Sequence, residues 1–451
     1  MPVDVIFCQS IPFVAICCLL LVNAAVKGRV FCATNALLLY TALSFGCALW
    51  LCQDPRTGDP FASQEAMVFL SGCYLLLCAP MLFIRENGVD VFQEEDPVFE
   101  GVFLRMLPAL KAFAVVMLLT FAFCFIWAIP TMMQFVTSGM DRAEFRYATQ
   151  FSHRDSLLLW GFSFISQFSL CAIAAGVLST MSRKVPKWVT AGLLLGGFSY
   201  ALSTLRSVSR SNIFEALAFL GSSVLVAWPC LHVSRRRFLR RSAMILIVVA
   251  LLPFGLLTVV RFSGPNSINA DEGVFYGLAS YFATGPYSFN ADYVARMEYG
   301  TPSFNGYLTC SFLPNLRDAV FGTTTYEDAE ELMLEMADPG FPEYRNISGA
   351  SSAEFKTVVG TFLMDYSGET VIAICGMFCL FFSYAFWRIR NACLSGCLLK
   401  IFYFYLIVMG PIGFGFGGRP RHYAMLGLLL FWIGLVFLEK RMMRTREARI
   451  G

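Results

Sequence analysis

The feature that most constrains this chain is a series of long apolar runs separated by short polar segments. Most runs cover about 18–25 residues, the length that a helix needs to cross a hydrocarbon layer about 30 Å thick. Uninterrupted apolar runs favour helices over the alternating strands of a membrane barrel. Charged residues make up only 14% of the chain, against roughly 25% in soluble domains. We therefore predict an all-α, polytopic transmembrane bundle of about eleven spans, at residues 5–25, 32–52, 66–84, 113–129, 157–181, 188–205, 213–233, 243–260, 371–387, 401–416 and 424–438.

The basic residues predict an orientation, because lysine and arginine accumulate on the cytoplasmic side of membrane proteins. If the spans alternate, most basic clusters fall on one side together with the C-terminal tail, and that side is expected to be the cytoplasm. The first apolar run lacks the features of a cleavable signal, so we expect it to stay in the protein. We treat residues 1–451 as a single integral membrane domain.

Two arginine pairs fall on the opposite, outer side, where the positive-inside rule makes them unexpected. Arg206 and Arg210 are spaced by four residues, which places them on one face of a continuing helix. Guanidinium groups match phosphate oxygens in bidentate geometry, so we predict that this pair binds a phosphate or pyrophosphate. Snorkelling to lipid headgroups is the alternative.

The second pair, Arg419 and Arg421, follows a glycine-rich segment and precedes His422. The histidine is a candidate for proton transfer, although a structural role stays open. Arg261, directly after an apolar run, is either a third anion contact or an interfacial anchor.

The longest polar interruption covers residues 261–370 on the outer face, and we predict amphipathic or re-entrant helices in it. Its aromatic first part contains Tyr281, Asn290 and Asp292 as candidate substrate contacts. Aromatic rings stack on sugars but also form interfacial belts, so this feature does not discriminate. A packed lid without a ligand role is the alternative for the whole segment.

Asp365 lies in a half-apolar segment just before a predicted span. An isolated carboxylate is unfavourable there, so we expect it to have a partner, for which an outer arginine is the natural candidate. A role as a general base and a purely structural pairing both stay open.

The sequence has no Walker A, GxGxxG, HExxH or GxSxG motif, and its sixteen cysteines show neither metal-ligand nor disulfide spacing. These absences argue against an ATP-driven pump, a dinucleotide enzyme, a zincin and an esterase. We also expect no nucleic-acid partner. Activated-lipid chemistry, passive transport and a scaffold remain as function classes.

Three segments resemble the Wzy-type O-antigen and capsule polymerases of bacteria. They are TLRSVSRSNIFEAL (204–217), SYFATGPYSFNADY (280–293) and KTVVGTFLMDYSGETVIAICG (356–376). The resemblance implies a GT-C-like glycosyltransferase of the bacterial inner membrane that polymerises undecaprenyl-pyrophosphate-linked repeat units, with its active site facing the periplasm. It further implies that the outer arginines bind pyrophosphate, and it leaves room for a chain-length regulator protein as a partner. It implies neither a metal nor a nucleotide cofactor.

On this hypothesis Arg206, Arg210, Asp365 and His422 are the candidate catalytic residues. The candidate substrate-binding residues are Arg261, Tyr281, Asn290, Asp292, Arg419 and Arg421. Two alternatives stay open: an O-antigen ligase-like transferase, and a lipid or glycan transporter. Interrupted spans and internal repeats are typical of transporters, and neither is evident in the sequence.

Overall fold

The computed structural model is helical in the part of the chain that it describes, and no strand occurs there. The described residues are 3–53, 63–85, 97–138, 157–205, 211–263, 279, 282–290, 293, 297, 303–304, 306–310, 312–324, 357–389, 393–413 and 419–450. Seven helices in these ranges are long and apolar enough to cross a membrane: Asp4–Lys27, Ala33–Leu51, Gln64–Phe83, Glu100–Thr131, Asn212–Cys230, Gly368–Arg388 and Arg421–Thr445. The prediction of a helical membrane protein is confirmed, whereas the count of about eleven spans and the GT-C-like arrangement stay predictions.

Each of the eleven predicted runs overlaps at least one helix in the described part of the chain. The helices are α1 (Val3–Lys27), α2 (Ala33–Leu51), α3 (Gln64–Cys78), α4 (Pro97–Ser138), α5 (Leu157–Ser166), α6 (Ser169–Ser179), α7 (Lys187–Gly196), α8 (Ser199–Leu205), α9 (Ser211–Ala227), α10 (Val233–Ser263), α11 (282–290), α12 (Tyr307–Cys310), α13 (Phe312–Phe321), α14 (Val358–Asp365), α15 (Gly368–Arg388), α16 (Leu394–Met409) and α17 (Arg419–Ile450). Helices α11 to α14 lie within the long segment 261–370, in which helices were predicted.

The chain divides into two compact units. Unit 1 comprises Met1–Glu86, Phe275–Arg390 and Tyr403–His422. Unit 2 comprises Asn87–Val274, Asn391–Phe402 and Tyr423–Gly451. Helices α16 and α17 each contribute residues to both units, and the single membrane domain expected from the sequence stays a prediction.

In unit 1, α1 and α2 form a hairpin whose turn is closed by buried polar side chains. Gly28 adopts a φ of 62°, a conformation that a residue without Cβ reaches at little cost. The amide of Asn23 then donates to Thr34 Oγ1 at 3.0 Å and to Asn35 Oδ1 at 2.6 Å. These contacts fix the turn inside an otherwise apolar helix pair.

The C-terminal end of α16 contacts two other segments of unit 1 through its backbone. The N–H of Val358, at the start of α14, donates to the carbonyl of Gly410 at 2.8 Å. Gly285 of α11 lies so close that a Cβ atom there would be 2.1 Å from the carbonyl oxygen of Pro411. A side chain larger than hydrogen at position 285 would therefore force backbone apart.

Unit 2 contains two predicted spans that are interrupted, which the sequence did not indicate. The run 157–181 forms α5 and α6 with a turn between them, and the run 188–205 forms α7 and α8. Serine hydroxyls compensate the main chain at the breaks: Ser169 Oγ accepts the N–H of Tyr200 at 3.0 Å, and Ser199 Oγ donates to the carbonyl of Gly196 at 2.6 Å. Neither run contains a proline, so these breaks are not proline kinks.

A buried carboxylate organises the start of α16 within unit 2. Glu439 of α17 is 9% exposed, and its Oε1 accepts the N–H of Leu394 at 2.5 Å and that of Ser395 at 3.3 Å. It satisfies the first amides of a helix, as a capping side chain does.

The sixteen cysteines are all described, and none forms a disulfide. Only Cys18 is exposed, and the other fifteen are buried or partly buried. This agrees with their interpretation as small apolar residues.

Candidate functional site

The polar cluster most relevant to the sequence predictions lies in unit 1, around the short helix α12. Asp365, the last residue of α14, is 1% exposed. Its Oδ2 accepts the N–H of Thr309 at 2.6 Å, and its Oδ1 accepts the N–H of Leu308 at 3.2 Å. The carboxylate thus occupies the position of a helix cap for α12, supplied from a residue 56 positions away.

His422, in the first turn of α17, reaches the same residue from the other side. Its Nε2 lies 3.2 Å from the carbonyl oxygen of Thr309, and the residue is 6% exposed. Because a carbonyl only accepts, this contact places a proton on Nε2, and the neutral ring then carries its lone pair on Nδ1. Thr309 therefore connects two of the predicted catalytic residues, Asp365 and His422, through its N–H and its carbonyl.

Further contacts hold the segment 303–310 against the end of α14. The hydroxyl of Tyr366 lies 3.0 Å from Thr309 Oγ1, and the hydroxyl of Ser303 donates to the carbonyl of Asp365. Gly306 adopts a φ of 88° at the turn into α12, and a Cβ there would lie 3.1 Å from the Tyr366 hydroxyl. The turn requires a residue that tolerates positive φ, and glycine supplies it.

Burial determines how the acidic groups of this cluster titrate. It raises the pKa of Asp365, while the hydrogen bonds from Thr309 and Leu308 lower it less. Burial also raises the pKa of Tyr366, and the charge of Asp365 adds to that rise. Asp365 thus has a stronger affinity for a proton than an exposed aspartate.

The sequence predicted an arginine as the natural partner of Asp365. The described partners are the main-chain amides of Leu308 and Thr309, and the Thr309 side chain and the backbone of Gly306 also hydrogen-bond to the carboxylate. A general-base role and a structural role for Asp365 both stay open. Arg421 precedes His422 in α17 and is half-buried.

The other predicted site residues are distributed as follows. Asn290 is 2% exposed, and its Oδ1 accepts the N–H of Ser63, the residue that caps α3, at 2.6 Å. Arg261 and Arg419 are helical, in α10 and at the start of α17. Four predicted residues lie outside the described part of the chain: Arg206, Arg210, Tyr281 and Asp292.

Thr309 and Tyr366 are central to the cluster and were not predicted. Thr309 follows no recognisable motif, and it contacts residues 56 and 113 positions away. The cluster therefore depends on tertiary contacts that local sequence patterns do not encode.

Among the described residues, no group of three or more histidine, cysteine, aspartate or glutamate side chains has the proximity needed to hold a metal ion. No known protein family, no curated protein and no solved structure matches this chain.

Proposed function

We propose that the chain is a bacterial inner-membrane glycosyltransferase that polymerises undecaprenyl-pyrophosphate-linked oligosaccharide repeat units, with its site on the periplasmic face. One observation carries the proposal. His422 and Asp365, from segments far apart in the sequence, bind opposite main-chain groups of Thr309. With Arg421 beside His422, an imidazole and a guanidinium stand at the start of α17 on a rigid support.

The proposed glycosyl transfer needs a base for the acceptor hydroxyl and positive charge near the departing pyrophosphate. The bond between the anomeric carbon and the pyrophosphate oxygen breaks, and the acceptor hydroxyl oxygen forms a bond to that carbon. The hydroxyl proton passes to a base, for which we propose Nδ1 of His422. The departing pyrophosphate gains negative charge, which Arg421 and the positive end of α17 stabilise.

Asp365 is a positioning residue in this scheme, since both of its oxygens accept main-chain N–H groups. It holds Thr309, and Thr309 orients the His422 ring. Arg206 and Arg210 lie outside the described residues and remain predicted contacts to a pyrophosphate. The lipid-linked glycans are the proposed partners.

The test is polymerisation by the purified full chain in proteoliposomes supplied with a panel of synthetic undecaprenyl-pyrophosphate oligosaccharides. A ladder of products that forms without added metal supports the proposal. Changing His422→Ala or Arg421→Gln should reduce the initial rate by about 100-fold or more, as loss of a base or of a transition-state charge contact does. Arg444→Gln, near the other end of the same helix, is exposed and should keep the rate.

Unchanged ladders in the His422 and Arg421 variants would refute the proposed roles. Asp365→Asn distinguishes positioning from proton transfer. A positioning residue should lower the rate while leaving the pH at half-maximal rate unchanged, because the titrating base is His422.

A lipid or glycan transporter is the second candidate, and the two interrupted spans of unit 2 favour it. Discontinuous helices often surround transporter binding sites. A fluorescent lipid-linked oligosaccharide in the same proteoliposomes separates the two functions. Movement of the label between leaflets without a ladder would favour transport, and a ladder without movement would favour the polymerase.

A further inference from the structure

The first turns of α10 carry an unusual concentration of positive charge. Five arginines fall among the first nine residues of the helix, and no acidic residue lies in its first turn: Arg235, Arg236, Arg237, Arg240 and Arg241. The N-terminal end of a helix already bears a partial positive charge, so cations there are unfavourable unless an anion compensates them. None of these five arginines is among the residues of the proposed glycosyltransferase site.

Arg235 is buried, with 7% of its surface exposed. Its Nη2 donates to the carbonyls of Arg183 at 2.9 Å and Val185 at 3.1 Å, in the segment between α6 and α7. Its Nη1 is shielded from solvent and has no acceptor among the residues that the structure describes. A buried charged donor in this state is unfavourable unless an acceptor completes it.

Arg236 repeats this pattern at the next position. Its Nη2 donates to the carbonyl of Pro229 at 3.3 Å, and its guanidinium carbon lies 6.0 Å from the ring centre of Trp228. Its Nε is buried and likewise lacks an acceptor within the described ranges. Two consecutive guanidiniums are therefore fixed by the fold, each with one buried donor that the described residues do not use.

One carboxylate lies nearby, but its hydrogen bonds go elsewhere. Glu100 of α4 accepts from the hydroxyl of Ser182 at 2.6 Å and from the N–H of Arg183 at 3.3 Å. Burial lowers the pKa of Arg235, the charge of Glu100 raises it, and the charge of Arg183 lowers it further. Lys184 is also exposed on the same segment, so the described residues near Arg235 include two cations, Arg183 and Lys184, and one carboxylate, that of Glu100.

We infer that the start of α10 and the segment 183–185 form a binding site for a phosphate group. A phosphate presents several acceptor oxygens in a geometry that guanidinium forks match, and it favours the positive end of a helix. Arg235 and Arg236 supply the fixed donors, and the exposed Arg183 and Lys184 add attraction. The phosphate belongs either to an acidic phospholipid headgroup or to a soluble phosphate.

The test uses the full chain purified in a non-ionic detergent, incubated with phosphatidylglycerol or with phosphatidylcholine, and analysed by native mass spectrometry. Retention of phosphatidylglycerol should fall about tenfold in the double variant Arg235→Gln, Arg236→Gln, the effect of losing charge-assisted hydrogen bonds. The matched control is Arg240→Gln, Arg241→Gln, which removes the same charge from exposed positions of the same helix and should change retention less than about twofold.

Inorganic phosphate distinguishes the two sources. Its binding is followed by ³¹P line broadening, with the same double variant as the negative control. Displacement of phosphatidylglycerol by inorganic phosphate supports recognition of the phosphate itself and thus a site open to soluble phosphates. Selective lipid retention without displacement supports a phospholipid headgroup site.

Three results would overturn the inference. Equal losses in the two double variants would mean diffuse attraction only, and the absence of any binding by the unchanged chain would leave no site. Glu94 and Glu95 lie outside the described residues, and binding that appears only in the double variant Glu94→Gln, Glu95→Gln would mean that these carboxylates provide the anion. If the double variant Arg235→Gln, Arg236→Gln fails to fold, the same measurement is made on two single variants. These are Arg236→Gln and Arg235→Lys, of which the second retains the charge.

Discussion

The first turns of α10 and α17 share a sequence pattern but differ in how the fold completes it. Both helices begin with basic residues and have no acidic residue in the first turn. At α17, His422 binds the carbonyl of Thr309, and the amide of Thr309 is bound by Asp365. At α10, Arg235 and Arg236 each keep a buried donor that no described residue accepts from. A helix start rich in basic residues can thus hold a polar side chain in hydrogen bonds within the fold, as at His422, or keep buried donors without a described acceptor, as at Arg235 and Arg236.

Removing Asp365 should have the largest effect on stability, and it tests most directly whether the hydrogen bonds around Thr309 stabilise the fold. Asp365→Ala leaves the buried amides of Leu308 and Thr309 without an acceptor, so we expect the free energy of unfolding to fall by about 3 kcal/mol. Chemical denaturation in detergent at neutral pH measures it. Glu369→Ala, an exposed carboxylate four residues along, should change stability by less than about 0.5 kcal/mol. Equal effects would show that Asp365 is not a buried cap.

The close backbone approach between Gly285 of α11 and Pro411 provides the second test. Gly285→Ala places a Cβ against the carbonyl oxygen of Pro411, which is backbone and cannot move aside cheaply. We expect a loss of about 2 kcal/mol in the free energy of unfolding. Gly376→Ala, in α15 with open space around its Cβ, should be neutral or slightly stabilising because alanine favours helix. A tolerated Gly285→Ala would contradict the close approach of α11 to the end of α16.

The pH dependence of stability provides a third test, of the raised pKa of Asp365. Burial raises the folded-state pKa of Asp365 above its ordinary value, so folding favours the protonated carboxyl. This contribution is complete below the ordinary pKa and is lost as pH rises through the folded-state pKa. The stability of the unchanged chain relative to Asp365→Asn should therefore decrease on going from about pH 3.5 to pH 7. Denaturation midpoints across that range measure the difference, and a constant or rising difference would contradict the raised pKa.

The smallest effect on the free energy of unfolding is expected at Arg235, at the start of α10. Arg235→Met removes hydrogen bonds to two carbonyls but also removes a buried, incompletely satisfied charge. These effects oppose each other, so we expect a change below about 1 kcal/mol in phosphate-free buffer. Thermal denaturation with and without phosphate checks it: the unchanged chain should gain stability from phosphate and the variant should not. A large loss in both buffers would mean that the carbonyl contacts alone matter.

The sequence predicted apolar helices in the described part of the chain because apolar length is a local property. The runs 5–25, 32–52 and 371–387 lie almost wholly within α1, α2 and α15. The sequence did not predict the breaks near residues 168 and 198, because neither run contains a proline that would mark an interruption. Apolar length alone does not indicate where a span is broken.

The candidate site was predictable only in part. The sequence identified Asp365 and His422 as polar residues near membrane depth, but it could not show that both bind Thr309. That connection joins three distant segments through the main-chain groups of Thr309. Because every residue has such groups, the sequence of side chains does not reveal the contact. For Arg235, the sequence indicates only a charge on the cytoplasmic side. The structure shows a buried side chain that donates to two carbonyls of the segment 183–185.

The low exposure of most thiols makes the topology accessible to labelling. The one exposed cysteine, Cys18, lies in the middle of an apolar helix, where a water-soluble maleimide would meet hydrocarbon rather than solvent. Cys32, Cys310 and Cys393 are partly exposed outside the seven membrane-length helices, and they would first be replaced by serine. A single cysteine introduced into a polar connecting segment of that variant would then label from one side of a sealed vesicle only, which assigns the segment to a membrane face.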